Sequence, residues 1–151
     1  MQRTTLVYLF NQKGQILLAM KKRGFGAGKW NGFGGKPDGN ETIKEAAIRE
    51  LEEESGIDLE PEQIHQLGLL HFIFDTKPEW SQDVHVFKGH YVGEFHETEE
   101  MHPQWRDIDK IPYQDAWEDD PFWMPLLIKD QDFEMTFHFD DTGKIIHKNT
   151  N

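Results

Sequence analysis

Glu50, Glu53 and Glu54 stand within five positions of one another in the stretch from Thr42 to Ser55, where Ile43, Ala47 and Leu51 recur at helical spacing. Stepping about 100° per residue from Ile43 puts Ala47 and Leu51 at about 40° and 80°, a stripe that faces a core. On the same wheel Glu54 falls at about 20°, inside the apolar arc, Glu50 at about 340°, at its edge, and Glu53 at about 280°. Glu45 and Glu52 point the opposite way, into water. A merely solvated acidic face sets its charges opposite the core and intersperses them with Lys or Arg. Here Glu50 and Glu54 are like charges at i, i+4, unfavourable by about 0.2–0.5 kcal/mol, and Arg49 is the one nearby counterion. A frayed acidic helix end is the plain reading; a divalent cation among carboxylates held at the core's margin is the chemical one. Oxygen donors of this kind suit Mg²⁺, or Mn²⁺, hard ions that complete their shell with water and substrate phosphates.

The flanking sequence supplies what such a helix needs. Thr42 with Glu45 three positions on is a capping box, and Gly56 is placed to end the helix in a left-handed conformation. Residues 21–40 read as loop and hold seven of the 13 glycines. From Met1 to Pro37 there are seven basic residues (Arg3, Lys13, Lys21, Lys22, Arg23, Lys29, Lys36) and no acidic one. That is either an ordinary basic surface loop or a cradle for an anionic ligand. Strands are expected at Thr4–Phe10 and Gln15–Met20, joined by a hairpin at Asn11–Gly14, and around Leu67–Phe74, Val84–Val92 and His102–Asp107. A second helix is expected from Pro121 to Ile128, with Asp120 or Asp119 as its N-cap. Phe133, Met135, Phe137 and Phe139 alternate with polar residues before a turn at Asp141-Thr142-Gly143, the pattern of an antiparallel strand pair. Strands outnumber helices and sit in hairpins, so the fold class expected is α+β, a mixed sheet sandwiched between helices.

The 151 residues read as one domain, 1–151, long enough to bury a core without disulfides. Zero cysteines exclude zinc fingers, iron–sulfur clusters and thiol nucleophiles. A net charge of −12 argues against a partner that is a nucleic-acid polymer or an anionic membrane surface. The apolar run Leu6–Phe10 is too short for a signal-peptide core or a membrane span, and the expectation is a soluble cytoplasmic monomer. The eight histidines show no zinc-binding spacing, and neither a Walker loop nor a G-x-S-x-G elbow occurs.

The string from Gly35 to Ile57, GKPDGNETIKEAAIRELEEESGI, meets every constrained position of the Nudix box, G-x5-E-x7-R-E-U-x-E-E-x-G-U with U aliphatic. Those positions are Gly35, Glu41, Arg49, Glu50, Leu51, Glu53, Glu54, Gly56 and Ile57, and on them the chain resembles the Nudix hydrolases. The resemblance implies Mg²⁺-dependent cleavage of a nucleoside diphosphate linked to another group, and a loop–helix–loop lying against a mixed sheet. It makes Glu50, Glu53 and Glu54 metal ligands, with Gly34 lending a backbone carbonyl and Glu100 a further ligand as in MutT-like members. Glu50 is then the expected base or water-orienting group, Arg49 orients the helix carboxylates and Glu41 braces the loop. On that resemblance a bound metal would offset phosphate charge, acidify a water and stabilise charge on the leaving pyrophosphate during in-line attack.

The segments MKKRGFGAGKWNGFGGK at 20–36, DVHVF at 83–87, and Trp117 to Leu127 further resemble the eukaryotic MutT-like branch that sanitises oxidised purine nucleotides. The likeness covers almost the whole chain, with gaps near Gly14 and in residues 75–82. It implies a small-molecule nucleoside triphosphate substrate, 8-oxo-dGTP or a related damaged purine such as 2-hydroxy-dATP, converted to monophosphate and pyrophosphate. It assigns Asn31, Asp119 and Asp120 to the base edge and Trp117 and Phe25 to its faces. Phe72 and Phe74 line the pocket, and Lys21 approaches the sugar–phosphate side. Taken alone, Asp119-Asp120-Pro121 is an ordinary helix start, and the aromatics are ordinary core. Gln82 stands where that branch has Met, which bears on the purine preferred. The alternatives are a Nudix pyrophosphatase of ADP-ribose or a dinucleotide polyphosphate, and a non-catalytic nucleotide-binding module; the last usually lacks box glutamates, and none is missing here.

Overall fold

Side chains alternate across a strand, so a strand buried on both faces must be apolar at every position. The computed structural model, which describes residues 1–150, shows this at Val7–Phe10 of the first strand and Ile16–Ala19 of the second, in a chain whose described residues form eight strands, two α-helices and four short 3-10 turns. The elements are β1 (Gln2–Phe10), β2 (Gln15–Lys21), β3 (Trp30–Asn31), α1 (Ile43–Ser55), β4 (Ile64–Phe74), β5 (Gln82–His90), β6 (Met101–Asp107), α2 (Asp120–Ile128), β7 (Phe133–Phe139) and β8 (Ile145–Asn149). Val7 and Leu9 of β1, with Leu17 and Ala19 of β2, pack with Ala47 and Leu51 of α1. Tyr8 and Phe10, with Ile16 and Leu18, pack on the other side with Trp123, Met124 and Leu127 of α2. One sheet therefore lies between two helices, as the sequence led us to expect. Among the described residues no helix is long and apolar enough to cross a membrane.

The sheet is mixed. Its strand order is β3-β2-β1-β5-β4-β7-β8, with β6 also paired to β2. The β1–β5 and β4–β7 ladders are parallel and the rest antiparallel. The feature that builds the site is a split between β1 and β2. They pair only at Leu9–Leu17 and Phe10–Ile16, after which β3 takes the edge of β2. The chain that follows takes the edge of β1: the Val7 N–H donates to the Phe33 carbonyl at 2.6 Å and the Thr5 N–H to the Gly35 carbonyl at 2.9 Å. Gly34 is wedged so tightly there that a Cβ would lie 1.6 Å from the Thr5 carbonyl oxygen.

Three expectations need correction. Residues 21–40 are not all loop, because β3 and the rungs at Phe33 and Gly35 fill the split. The strand expected at Val84–Val92 runs from Gln82 to His90, since its partner β1 starts at Gln2 and pairs it in parallel residue for residue. Asp119 is the N-cap of α2, as one of the two aspartates expected there, but its backbone is helical and its side chain makes no capping hydrogen bond.

Candidate active site

The ends of α1 fix what its glutamates face. The Thr42 hydroxyl accepts the Glu45 N–H at 3.1 Å, the Glu45 carboxylate accepts the Thr42 N–H at 2.8 Å, and Gly56 closes the helix at φ 79°. Arg49 then fans across the acidic groups. Its Nε and Nη2 donate to Glu41 at 2.8 and 3.0 Å, and its Nη1 donates to Glu50 at 3.1 Å and Glu53 at 3.2 Å. Nη2 also donates to the Lys36 carbonyl at 3.0 Å, which ties the preceding loop to the helix. These hydrogen bonds hold the Glu41 carboxyl below its usual range. Glu53 is not held at the core's margin: its side chain is 57% exposed, turned out to the exposed side of Arg49.

Glu54 forms no ion pair among the described residues and accepts the Gly34 N–H at 3.0 Å. Burial, then repulsion from Glu50, pushes its pKa up to about 8. Burial also raises Glu50, against the pull of Arg49, and its carboxylate packs where a Cβ on Gly35 would lie 2.5 Å away. Among the described residues no three acidic or histidine side chains converge as a metal centre requires. The reason is visible in the pairing: Glu50 and Glu53 are turned to Arg49, Glu100 to Arg23 at 2.8 Å, and Glu54 to Gly34. The donor chemistry fits a hard divalent cation all the same. Every donor is an oxygen, and Glu54 is crowded by the charges of Glu50 and Glu100 that a cation would offset.

The first turn of α2 carries a different acidic pair. Asp119 and Asp120 are 1% and 4% exposed. The Trp123 Nε1–H donates to Asp119 Oδ2 at 2.7 Å, while Asp119 Oδ1 is buried without a partner. Burial raises the pKa of both carboxyls, and the charge of Asp119 raises Asp120 further. Such a pair keeps a proton, which equips it with one hydrogen-bond donor and acceptors beside it. Asn31 is oriented from the core: its Oδ1 accepts the Tyr8 hydroxyl at 2.7 Å and the Gly32 N–H at 2.9 Å, leaving its amide hydrogens to donate elsewhere. Burial suppresses ionisation of the Tyr8 phenol, so it remains a donor. The Tyr8 ring meets Trp123 edge-on at 5.6 Å, so the partners of Asn31 and Asp119 are packed against each other.

One cavity of about 310 Å³ joins these two regions. Its wall includes Lys21, Phe25, Asn31, Phe72, Phe74, Trp117, Asp119 and Asp120, together with Gly34, Glu54 and Glu100. Glu50 and Glu53 are not on that wall.

Residues 1–141 match the family model described as the NUDIX domain. This chain belongs to the Nudix family. It is 50% identical over 146 residues to the oxidized purine nucleoside triphosphate hydrolase of Danio rerio, covering 95% of this chain and 91% of that one. It is 48% identical over 143 residues to the protein of the same name from Mus musculus, covering 94% and 89%. The solved structure of the MutT protein from Bacillus halodurans, 25% identical, superposes with a TM-score of 0.86 over 100% of this chain and 98% of that one.

Within this Nudix chain the box residues divide into supports and donors. Leu51 and Ile57 are buried, Gly56 turns the chain, Gly35 leaves room for Glu50, and Arg49 with Glu41 clamps loop to helix. The sequence reading missed Lys29, whose ammonium lies 5.3 Å from the Trp117 ring centre, and Phe139, stacked on Phe74 at 5.3 Å and edge-on to Trp117 at 6.2 Å. The alternation of β7 marked Phe139 as inward-facing, but only the parallel register that sets it beside Phe74 puts it on the cavity. Gln82 is on the wall too, its Oε1 accepting the Thr4 hydroxyl at 2.8 Å.

Proposed function

We propose that this chain is a pyrophosphohydrolase of oxidised purine nucleoside triphosphates, with 8-oxo-dGTP as the leading substrate and 2-hydroxy-dATP a further one. It cleaves them to the monophosphate and pyrophosphate and so clears damaged nucleotides from the pool. The observation that carries this reading is the single cavity with the Nudix-helix carboxylate Glu54 at one end and Asn31, Asp119 and Asp120 at the other. The names of the zebrafish and mouse relatives support it. We read residues 1–151 as one domain that acts as a monomer on free nucleotide in the cytoplasm.

The base-reading end recognises a purine whose edge mixes C=O and N–H groups. The protonated member of the Asp119–Asp120 pair donates, the ionised member accepts, and the Asn31 amide donates from across the pocket. A base lacking the matching pattern leaves buried polar groups unpaired, which costs about 1–3 kcal/mol per group. Trp117 and Phe25 cover the base, and Phe72 and Phe74 close the pocket beneath it. Lys21 meets the sugar–phosphate side and offsets phosphate charge.

Glu50, Glu53, Glu54 and Glu100, with the Gly34 carbonyl, are the groups that would hold Mg²⁺, or Mn²⁺ in its place. That ion supplies charge compensation to the triphosphate and to the departing pyrophosphate. Glu50, raised by burial, takes the proton of the attacking water at its carboxylate or orients that water. Arg49, bonded to Glu41, keeps Glu50 and Glu53 in place. A panel with Mg²⁺ tests the proposal by scoring the nucleoside monophosphate formed, with pyrophosphate as co-product from 8-oxo-dGTP, 2-hydroxy-dATP and dGTP and ribose 5-phosphate as co-product from ADP-ribose. Oxidised purines should exceed dGTP by about tenfold or more in kcat/KM, the value of one satisfied buried hydrogen bond. Equal rates on dGTP, or preference for ADP-ribose, overturn it.

A further inference from the structure

Phe25 is 52% exposed and sits on a loop that one backbone bond, Lys22 N–H to the Glu100 carbonyl at 2.9 Å, ties at its start, the remaining bonds running within the loop and to the end of β2. Gly28 N–H donates to the Lys21 carbonyl at 2.8 Å and Lys21 N–H to the Lys29 carbonyl at 3.2 Å, while Ala27 and Lys29 bond back to Gly24 and Gly26 at 3.1 Å. Gly24, Gly26 and Gly28 hold φ of 82°, 86° and 86°, a region open chiefly to glycine, so the loop is a series of joints. No backbone bond ties residues 24–28 to the opposite wall of the cavity. The ion pairs of Lys22 with Glu97 and Arg23 with Glu100 tether the loop, but they lie in solvent and contribute little.

The rest is aromatic. The Phe25 ring lies 5.3 Å from Trp117, 5.2 Å from Trp80 and 6.4 Å from Phe74. Trp117 and Phe74 line the cavity and have an evident use there. Trp80 does not line it, and its contact with Phe25 is not explained by touching a ligand. Trp80 is also well anchored. It ends the short 3-10 turn Pro78–Trp80 between β4 and β5, its N–H donates to the Lys77 carbonyl at 2.9 Å, and its carbonyl accepts Gln82 Nε2 at 3.3 Å. Its ring also meets Phe74 edge-on at 5.6 Å. A fixed tryptophan thus grips the one large apolar side chain of a hinged loop.

We propose that Trp80 is a positioning residue for nucleotide binding: it latches Phe25, and with it the loop of residues 22–29, over the base cavity. This rests on the nucleotide-hydrolase reading above. Binding is weakened by the fraction of time the wall is out of place, so the latch acts on KM and not on the chemical step. An aromatic pair shifts such an equilibrium by roughly 2- to 12-fold.

The test uses Trp80→Ala, Trp80→Phe, Phe25→Ala and the Trp80→Ala/Phe25→Ala double variant. Two readouts are taken: tryptic cleavage after Lys22 and Arg23 in nucleotide-free protein, and KM with kcat for 8-oxo-dGTP. Trp80→Ala should speed cleavage and raise KM by about 3- to 10-fold with kcat within about twofold. Trp80→Phe should restore both, and the double variant should be no worse than Phe25→Ala alone. Unchanged cleavage and KM in Trp80→Ala, or additive losses in the double variant, overturn the latch. Absence of turnover by the wild-type chain overturns the nucleotide reading alone, because cleavage of nucleotide-free protein still supports or overturns the grip of Trp80 on Phe25.

Discussion

Acidic groups stand at both ends of the cavity, and the two ends are built in opposite ways. Beside α1, Glu41, Glu50 and Glu53 share one guanidinium, Glu100 takes another, and most of these carboxylates keep contact with water. At the start of α2, Asp119 and Asp120 are sealed from solvent and make no ion pair among the described residues. The residue chemistry is the same, and solvent makes the difference. Glu41, held below its usual range by Arg49, stays charged, whereas Glu54, on the cavity wall and without an ion pair among the described residues, is raised by burial as the aspartates are. A carboxylate pair cut off from water is more stable keeping a proton. One end is suited to managing charge, the other to matching the proton pattern of a neutral base.

The sharpest way to break this contrast is to neutralise the charged end. Glu54→Gln or Glu53→Gln should lower kcat by about 10²–10³-fold or more, the scale of losing one transition-state electrostatic contact. Thermal melting should show Tm at or above the wild-type value for Glu54→Gln, because burial first and the repulsion from Glu50 second disfavour a charge at this position. Full turnover in either variant removes the charge-managing role. Next in size is Asp119→Asn, which should cost about 10- to 100-fold in kcat/KM on 8-oxo-dGTP with little change in Tm, since its carboxylate caps no helix. Parallel losses of activity and stability would return it to a structural helix start.

A smaller effect appears in the pH dependence of folding. Asp120 has a raised carboxyl pKa, so its contribution to stability is whole below the unfolded value near 3.9 and is lost as pH rises through the folded value. Urea midpoints should therefore show Asp120→Asn gaining on the wild type as pH rises, and a constant difference would mean the pair is not protonated. The smallest effect is expected at His71, where carboxylates meet a cation away from the cavity: its ring nitrogens lie 2.8 Å from Glu134 and 2.6 Å from Asp83. Glu134, then Asp83, raise its pKa, so this clamp is complete below about pH 6.5 and fades as pH rises through the raised value. His71→Gln should cost about 0.2–1 kcal/mol near pH 6, measured by urea denaturation, less at alkaline pH, and nothing in turnover.

The charged end was legible because a helix converts spacing directly into geometry. The i, i+3 and i+4 intervals of the glutamates, the Thr42–Glu45 box and Gly56 place Glu50 and Glu54 without reference to any other element. The sandwich of sheet and helices followed from strand alternation in the same local way. The end proposed to read the base was legible only through resemblance. Asp119-Asp120-Pro121 has the composition of a cap, and what diverts its side chain is Trp123 four residues on, whose indole N–H takes Asp119 instead. β3 and the rungs at Phe33 and Gly35 were invisible because they exist only where β1 and β2 part, and no local propensity marks a split. Phe139 and Trp80 reached the site region through pairing registers and turns that join distant segments.

Tyr8 and Trp123 have a consequence beyond packing. Each sends its polar atom to a residue proposed to read the base, Tyr8 to Asn31 and Trp123 to Asp119, and the two rings press edge to face in the core. The gauge between the pocket's reading atoms is therefore machined into the hydrophobic interior and not into the loops around the mouth. A compact inhibitor cut to that gauge has a rigid template to fit, with no need to imitate a triphosphate.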